Sequence, residues 1–252
     1  MNLTKISSFK TICFVLSILF FSCDSKEVAH LHESTILKAD SLFRVGDLAN
    51  AKLEYKQIWN CCKEKGISYQ LAKSHILTEN KDSAYYYLNY ALDGDTGLYR
   101  LFSGEFYELL EDSLYDSLVD IQLGKYQTKF GLFSKPHLSK KLFLATVKDQ
   151  AYYYHLSVFP DSTEKYAKIK KLLNRENLEM LDEIVVEHGW PKRSEVGFEA
   201  APAAFFIVQH AESVSTLKNY LSYIKNAVDE GEVDKYFLAF LLDKINFREG
   251  EK

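Results

Sequence analysis

The chain has 252 residues, of which 47% are apolar and only 11 are Gly and 4 are Pro, and this balance excludes disordered and collagen-like proteins. Its 31 Lys and Arg residues against 35 Asp and Glu residues give a net charge of -4. We expect no nucleic-acid partner, because an acidic chain without a run of cations lacks the long-range attraction that such binding needs. Few glycines and prolines provide few turns, which favours long helices.

Residues 1–22 have the pattern of an export signal. Two lysines, Lys5 and Lys10, precede an apolar run from Ile12 to Phe21 that only Ser17 interrupts. This run is about half the roughly 20 residues that span a bilayer, so it is typical of a signal peptide rather than of a membrane helix. We therefore expect residues 1–22 to be cleaved after export.

The apolar run ends in Leu19-Phe20-Phe21-Ser22-Cys23, which resembles the lipobox of bacterial lipoproteins. The two phenylalanines stand where Leu and a small residue are commoner. The resemblance implies that Cys23 is diacylated and becomes the new N-terminus, whereas the alternative is a plain signal peptide with an incidental cysteine. The cleaved chain has 29 cations and 35 acids, and this excess of acids cannot attract anionic lipid, so acyl chains must hold it on the membrane. We expect a lipoprotein of the bacterial envelope, in the outer membrane.

Residues 23–34 are polar and aperiodic and are predicted to form a tether. His30 and His32 lie within it, but two histidines without further ligands predict no metal site, and no cofactor is predicted. Cys61 and Cys62 are adjacent and cannot close an ordinary disulfide loop. They are interpreted either as two thiols at a helix end or as a strained vicinal disulfide that acts as a redox switch.

Residues 35–130 are predicted to form a helical module with an internal repeat. An offset of 33 aligns Ala39 with Ala72, Asp47 with Asn80, Ala51 with Ala84, Tyr55 with Leu88, and Ile58 with Ala91. The first copy, Ala39 to Trp59, resembles a tetratricopeptide repeat, in which Gly46 opens the turn between two antiparallel helices. The second copy is poorer, because Glu79 replaces the turn glycine and His75 stands where a large apolar residue is expected. The repeats predict a protein partner, and two copies are expected to pack against the residues that follow.

A run of tyrosines, Tyr85-Tyr86-Tyr87 with Tyr90, lies in the second copy. Successive helical residues point about 100° apart, so the three adjacent rings cannot all face one core. The run is either an aromatic contact surface or a set of rings buried at a helix margin with wet hydroxyl groups.

Residues 138–252 predict a second, multi-helix unit, separated from the first by a break at 131–137. Helical spacing extends over Leu138–Leu156, and a further helix closes at Gly189. Ala201–Ala211 is apolar on nearly every side and predicts a central helix. No stretch alternates as a strand would. The fold class is therefore predicted to be all-α, with a short helix-turn-helix repeat module followed by a multi-helix C-terminal domain.

The second unit carries motifs that resemble the uncharacterised bacterial family known as domain of unknown function 6624. The motifs are, in order, Asp149-Gln150, Asn177, Gly189-Trp190-Pro191, Val196-Gly197, Gln209-His210-Ala211 and Leu242-Asp243-Lys244. The resemblance covers about residues 138–247, and Lys244 stands where members often have Arg. It implies an identity for the domain without implying a reaction.

His210 is the candidate catalytic residue, with Asp243 or Asp149 as the carboxylate that orients its ring. The candidate binding residues are Gln150, Trp190 and Gln209. The structural alternative is that these polar groups satisfy helix ends or each other, and that Trp190 fills the core. The sequence has no Gly-x-Ser-x-Gly nucleophile elbow, no phosphate-cradling glycine loop and no zinc ligand pair at helical spacing.

Three functions remain open at this point. The first is a non-enzymatic binding or scaffolding lipoprotein, which the repeats and the lack of a complete catalytic motif favour. The second is an envelope enzyme, such as a hydrolase, that uses His210. The third, an inhibitor or immunity-type protein, fits the acidic balance alone.

Overall fold

A computed structural model describes residues 25–159 and 163–250. The predicted export signal and Cys23 lie outside these residues. Within them the structure contains eleven α-helices, two 3-10 helices and no strand, which confirms the all-α prediction. None of the helices in this part of the chain is both long and apolar enough to span a membrane.

The helices follow one another with short connections. They are α1 (Ser25–Arg44), α2 (Leu48–Cys62), α3 (Lys65–Ile76), α4 (Lys81–Leu92), α5 (Ser113–Phe130), α6 (Pro136–Val158), α7 (Thr163–His188), α8 (Arg193–Val196), α9 (Ala201–Gln209), α10 (Val214–Asp229) and α11 (Lys235–Glu249). The 3-10 helices Tyr99–Leu101 and Gly104–Leu109 lie between α4 and α5. Helix α1 includes most of the predicted tether, because no Gly or Pro interrupts the chain after Ser25.

The helix pairs α1–α2 and α3–α4 form two hairpins that match at the offset of 33. Both members of the aligned apolar pairs are buried: Ala39 and Ala72, Ala51 and Ala84, Tyr55 and Leu88, Ile58 and Ala91. Asp47 and Asn80 occupy equivalent N-cap positions, where their side chains accept backbone N–H groups of α2 and α4. Positions related by the offset are thus buried or capped alike in the two hairpins.

The turn of the second hairpin keeps the left-handed backbone of the first. Gly46 has φ +78°, and Glu79, its aligned residue, has φ +57°. An L-residue is strained in this region, and glycine is not. The poorer second copy thus preserves the turn with a strained residue.

Glu79→Gly is expected to raise the free energy of unfolding by about 0.5 to 1 kcal/mol, because relief of left-handed strain exceeds the added freedom of the unfolded chain. The measurement is urea unfolding followed by circular dichroism. Gly46→Ala is the control and should destabilise, since its Cβ would also lie 3.3 Å from the Val158 carbonyl oxygen. A destabilised Glu79→Gly protein would refute this explanation of the turn.

The hairpins and the C-terminal helices share one hydrophobic core. The 3-10 helix Gly104–Leu109 connects them, since it packs on α6 and also contacts α3. Its Glu105 forms a largely buried ion pair with Lys73 of α3, and the Lys73 ammonium lies 5.3 Å from the Phe43 ring centre and 5.7 Å from that of Tyr154. The repeat module is thus fixed against the long helix α6 that carries Asp149.

Candidate functional site

Two of the motif residues, Asp149 and His210, meet at the junction of α6 and α9. Asp149 lies on α6 and is 3% exposed, and one of its carboxylate oxygens, Oδ1, bonds His210 Nδ1. His210 directly follows α9, a short apolar helix that packs between α6, α7 and α10. The central position predicted for this helix places His210 over the buried carboxylate.

The second Asp149 oxygen, Oδ2, accepts a hydrogen bond of 2.7 Å from Gln150 Nε2. Both oxygens of the buried carboxylate are therefore paired, as burial of such a group requires. A carboxylate only accepts, so Nδ1 of His210 carries the proton that it donates. In the neutral ring this leaves the lone pair on Nε2.

Nε2 of His210 is the free end of the ring. It has no hydrogen-bond partner among the described residues, and it does not belong to their buried unpaired atoms. His210 lines an open cavity of about 510 Å³, within the size range of small-molecule sites. This space is called the His210 cavity below.

The His210 cavity combines an apolar surface with a basic rim. Leu172, Leu178 and Ala211 supply apolar wall, and the polar lining comprises Asn174, Ser213 and Thr216 with the charged residues Lys168, Lys171, Arg175 and Glu212. Three cations and one acidic residue line the cavity, so the lining has a positive net charge although the whole chain has a negative one. The start of α10 at Val214 adds the positive end of a helix dipole.

The cations of the rim are available to a ligand. Lys168, Lys171 and Arg175 each have one carboxylate partner at 2.8, 4.0 and 3.7 Å, and all six side chains are more than half exposed. Exposed ion pairs contribute little, about 0 to 1 kcal/mol, so an incoming anion can replace the carboxylate.

The segment that carries His210 is held by cations from α11. Lys244 Nζ donates to the Gln209 carbonyl, and Arg248 Nη1 donates to the carbonyls of Ala211 and Glu212 at 2.9 and 2.8 Å. Burial, together with the charge of Arg248, lowers the pKa of Lys244. The first bond satisfies a carbonyl that the end of α9 leaves unpaired, and the bonds of Arg248 fix the link to α10. Gln209 therefore contributes its backbone here, and it does not line the His210 cavity.

Asp243 does not orient His210, and this part of the prediction is corrected. It is exposed on α11, and no hydrogen bond or ion pair joins it to another described residue. Leu241 and Ile245 form the buried stripe of that helix, and a residue two positions from either points to the opposite side. Asp149 is the carboxylate partner.

Trp190 belongs to the core and not to the cavity, which corrects its prediction as a binding residue. Its side chain is 4% exposed, and its ring meets that of Tyr220 edge-on at 6.3 Å. The space beside it measures about 10 Å³, too small for a ligand. Trp190 fills the turn between α7 and α8.

The cations of α7 are functional candidates that sequence reasoning missed. Lys168, Lys171 and Arg175 are spaced three and four residues apart, which places them on one helix face. That spacing was a usable signal. The sequence did not show that these cations lie near His210, because they reach the cavity through the packing of α7 on α9.

His155 is a second residue that the sequence did not single out. It is 6% exposed, stacks on Tyr166 at 4.9 Å, and has no hydrogen-bond partner for either ring nitrogen in the part of the chain described. Desolvation lowers its pKa from the ordinary value. His155 is therefore a buried, neutral histidine at neutral pH.

Acidification is expected to destabilise the protein through His155. A histidine whose folded-state pKa is depressed contributes its stability above the unfolded pKa of about 6.5, and this contribution is lost as the pH falls below that value. His155→Phe keeps the ring stacking, removes the titration and should flatten the fall of the melting temperature below about pH 6.5. The exposed His137, changed to Gln, is the control. An unchanged pH profile in His155→Phe would contradict the prediction.

No protein-family model, curated protein or solved structure matches the chain. The resemblance of residues 138–247 to domain of unknown function 6624 stays a prediction that rests on its motifs. The function is accordingly argued from the geometry of the His210 cavity.

Proposed function

We propose that the C-terminal helices bind an amphipathic anion in the His210 cavity, and that His210 and Asp149 act on it as a general acid–base pair. The observation that carries the proposal is a buried carboxylate bonded to Nδ1 of His210, a residue that lines an open cavity and whose Nε2 has no partner among the described residues. A ring held in this way keeps Nε2 free to take a proton while the carboxylate stabilises the imidazolium.

The lining favours a ligand with an anionic head and a hydrocarbon body. Arg175 and the two lysines fit a phosphate or carboxylate, whereas Leu172 and Leu178 offer an apolar surface for a chain. We choose an alkyl phosphate as the probe of this chemistry.

The reaction that the pair supports is hydrolysis of an ester bond in such an amphiphile. Nε2 takes one proton from water, the water oxygen bonds to the phosphorus atom, and the bond from phosphorus to the leaving oxygen breaks. The proton on Nε2 then passes to the leaving oxygen or to solvent. The rim cations stabilise the charge that develops on the phosphoryl oxygens.

Calorimetric titration with decyl phosphate tests the binding step. Arg175→Gln and Lys171→Gln should each weaken binding by up to about fivefold, because an ion pair with an exposed cation contributes about 0 to 1 kcal/mol. Asp243→Asn, at the candidate residue outside the cavity, should leave the affinity unchanged. If uncharged decanol binds as tightly as decyl phosphate, the anion site is refuted.

We also propose that this site belongs to a membrane-anchored protein. The supporting observation is the lipobox-like run that ends in Cys23. Metabolic palmitate labelling is expected to mark the wild-type chain and not Cys23→Ala, since only the thiol accepts the diacylglycerol group. Equal labelling of both chains would refute the proposal that Cys23 carries the lipid anchor.

Protein binding through the repeat hairpins is the second candidate function. Its support is a pair of exposed tyrosines, Tyr86 at 61% and Tyr90 at 38%, four residues apart on α4. Tyr90 also meets the Trp59 ring at 4.5 Å, and aromatic side chains are enriched at interfaces. A photocrosslinking residue at position 86 should give one discrete adduct in cells, which Tyr90→Ala should remove. The same residue at the exposed Leu132 is the control, and identical adducts at both positions would contradict this role.

A further inference from the structure

Donors of three kinds, imidazole, thiol and carboxylate, meet where α1 passes the link between α2 and α3. His32 Nδ1 lies 3.5 Å from Glu64 Oε1, and the ligand atoms of His32, Cys62 and Glu64 all lie within 4.8 Å of one another. Cys62 is the last residue of α2, and Glu64 directly precedes α3. The three residues are brought together by the first hairpin and its connection to the second.

The neighbouring lysines do not neutralise this cluster. Lys63 places its ammonium 4.5 Å from the Trp59 ring centre, and Lys65 donates to the Asp93 carbonyl. His32 is the ion-pair partner that the structure gives Glu64. The other ring nitrogen of His32, Nε2, is buried and has no partner among the described residues. The ring thus directs Nδ1 toward the Glu64 carboxylate.

We propose that His32, Cys62 and Glu64 bind a divalent zinc ion, with water in the fourth position. Zinc binds thiolate sulfur at about 2.3 Å and imidazole or carboxylate atoms at about 2.0 to 2.2 Å in a tetrahedron. Such bonds place neighbouring donors roughly 3.3 to 3.8 Å apart, a range that contains the distance between the His32 and Glu64 donors. The remaining donors need only small side-chain rotations, because Cys62 and Glu64 are exposed.

The donor set favours zinc over calcium or magnesium. A thiolate and an imidazole are poor ligands for hard cations, which prefer oxygen atoms, but they suit a borderline ion. Binding deprotonates the Cys62 thiol and releases that proton to solvent. Three protein ligands with one position left to water is the arrangement of open zinc sites rather than of closed structural ones.

Cobalt titration of the full, reduced, metal-free chain tests the site. Co²⁺ is expected to bind one to one with a thiolate-to-cobalt charge-transfer band, and Zn²⁺ should displace it. Cys62→Ser should abolish the band, and His32→Gln and Glu64→Gln should each weaken binding about tenfold or more. His137→Gln, at an exposed histidine on α6, is the matched control and should bind as the wild type does.

Replacement of the adjacent thiol, Cys61, distinguishes the proposed site from a chelate formed by the two cysteines alone. Cys61 directly precedes Cys62 and is also a free, exposed thiol, so Cys61→Ser is the decisive variant. Retention of the band in Cys61→Ser, with its loss in Cys62→Ser, supports the proposal. A band that needs both cysteines and is unaffected by His32→Gln and Glu64→Gln would overturn it, as would the absence of cobalt binding. All these residues except His32 are exposed, and circular dichroism checks that each variant keeps its helices.

Discussion

Gly104→Ala is expected to lower the free energy of unfolding by about 3 kcal/mol or more, because an added Cβ has no room there. That atom would lie 2.4 Å from the backbone oxygen of Gln150 and 2.5 Å from its carbonyl carbon. Backbone atoms cannot rotate away as a side chain does, so the 3-10 helix must separate from α6. Urea unfolding followed by circular dichroism measures the loss.

Gly124→Ala is the matched control for this prediction. Gly124 lies inside α5, and a Cβ at this position would meet nothing within 4 Å. Alanine is more favourable than glycine in a helix by about 0.5 to 1 kcal/mol, so this variant should be stabilised. If both variants change stability by the same amount and sign, the close approach at Gly104 does not exist in solution.

Asp149→Asn is expected to remove the proton-accepting function of His210. The Gln150 amide still requires an oxygen to accept its N–H, so the new side chain is expected to turn its own amide nitrogen toward His210. Nδ1 of His210 then accepts instead of donating, and the proton moves to Nε2. The same exchange in a serine-protease triad costs on the order of 10⁴ in rate, and we expect a similar loss here.

Two measurements check this second prediction. Nitrogen-15 spectra of the histidine rings should show His210 with its proton on Nδ1 in the wild type and on Nε2 in Asp149→Asn. The rate at which nitrophenolate is released from decyl 4-nitrophenyl phosphate should be lower in Asp149→Asn than in the wild type. Asp243→Asn makes the same chemical change on α11 and should alter neither result. An Asp149→Asn protein with wild-type spectra would show that Asp149 does not set the tautomer.

The helices could be predicted because their signals are local. Gly189 closes α7, and the helix that follows α8 is apolar on nearly every side, so both appear in the residue pattern. The offset of 33 also identified equivalent positions, down to the caps Asp47 and Asn80. The hairpin turn at Glu79 was less visible, because its left-handed backbone contradicts the local preference of that residue.

The candidate site could be predicted only in part. Residue types identified His210 and two carboxylates, but the choice of Asp149 over Asp243 depends on the rotation of α6 and α11 about their axes after packing. The buried stripes fix those rotations: Asp149 falls on the buried side of α6, whereas Asp243 falls on the outer side of α11. Asp149 is a polar residue within the otherwise mainly apolar buried stripe of α6, so hydrophobic spacing alone does not reveal that it is buried.

Other features arise solely from tertiary contacts. His32 and Cys62 come from different helices, and their sequence spacing matches no metal motif. The approach of Gly104 to Gln150 joins two elements that are far apart in the chain, and a glycine in an irregular segment gives no warning of it. The second of these contacts joins the 3-10 helix Gly104–Leu109 to the helix that carries Asp149.

Reaction of His210 with diethyl pyrocarbonate, followed by peptide mass spectrometry, tests the central claim that Nε2 is free and faces a ligand cavity. The reagent acylates an unprotonated ring nitrogen that solvent can reach. His210 should be modified in the wild-type protein, and decyl phosphate should protect it while leaving the exposed His137 as reactive as before. A His210 that is unreactive, or that reacts equally fast with and without decyl phosphate, would contradict the claim.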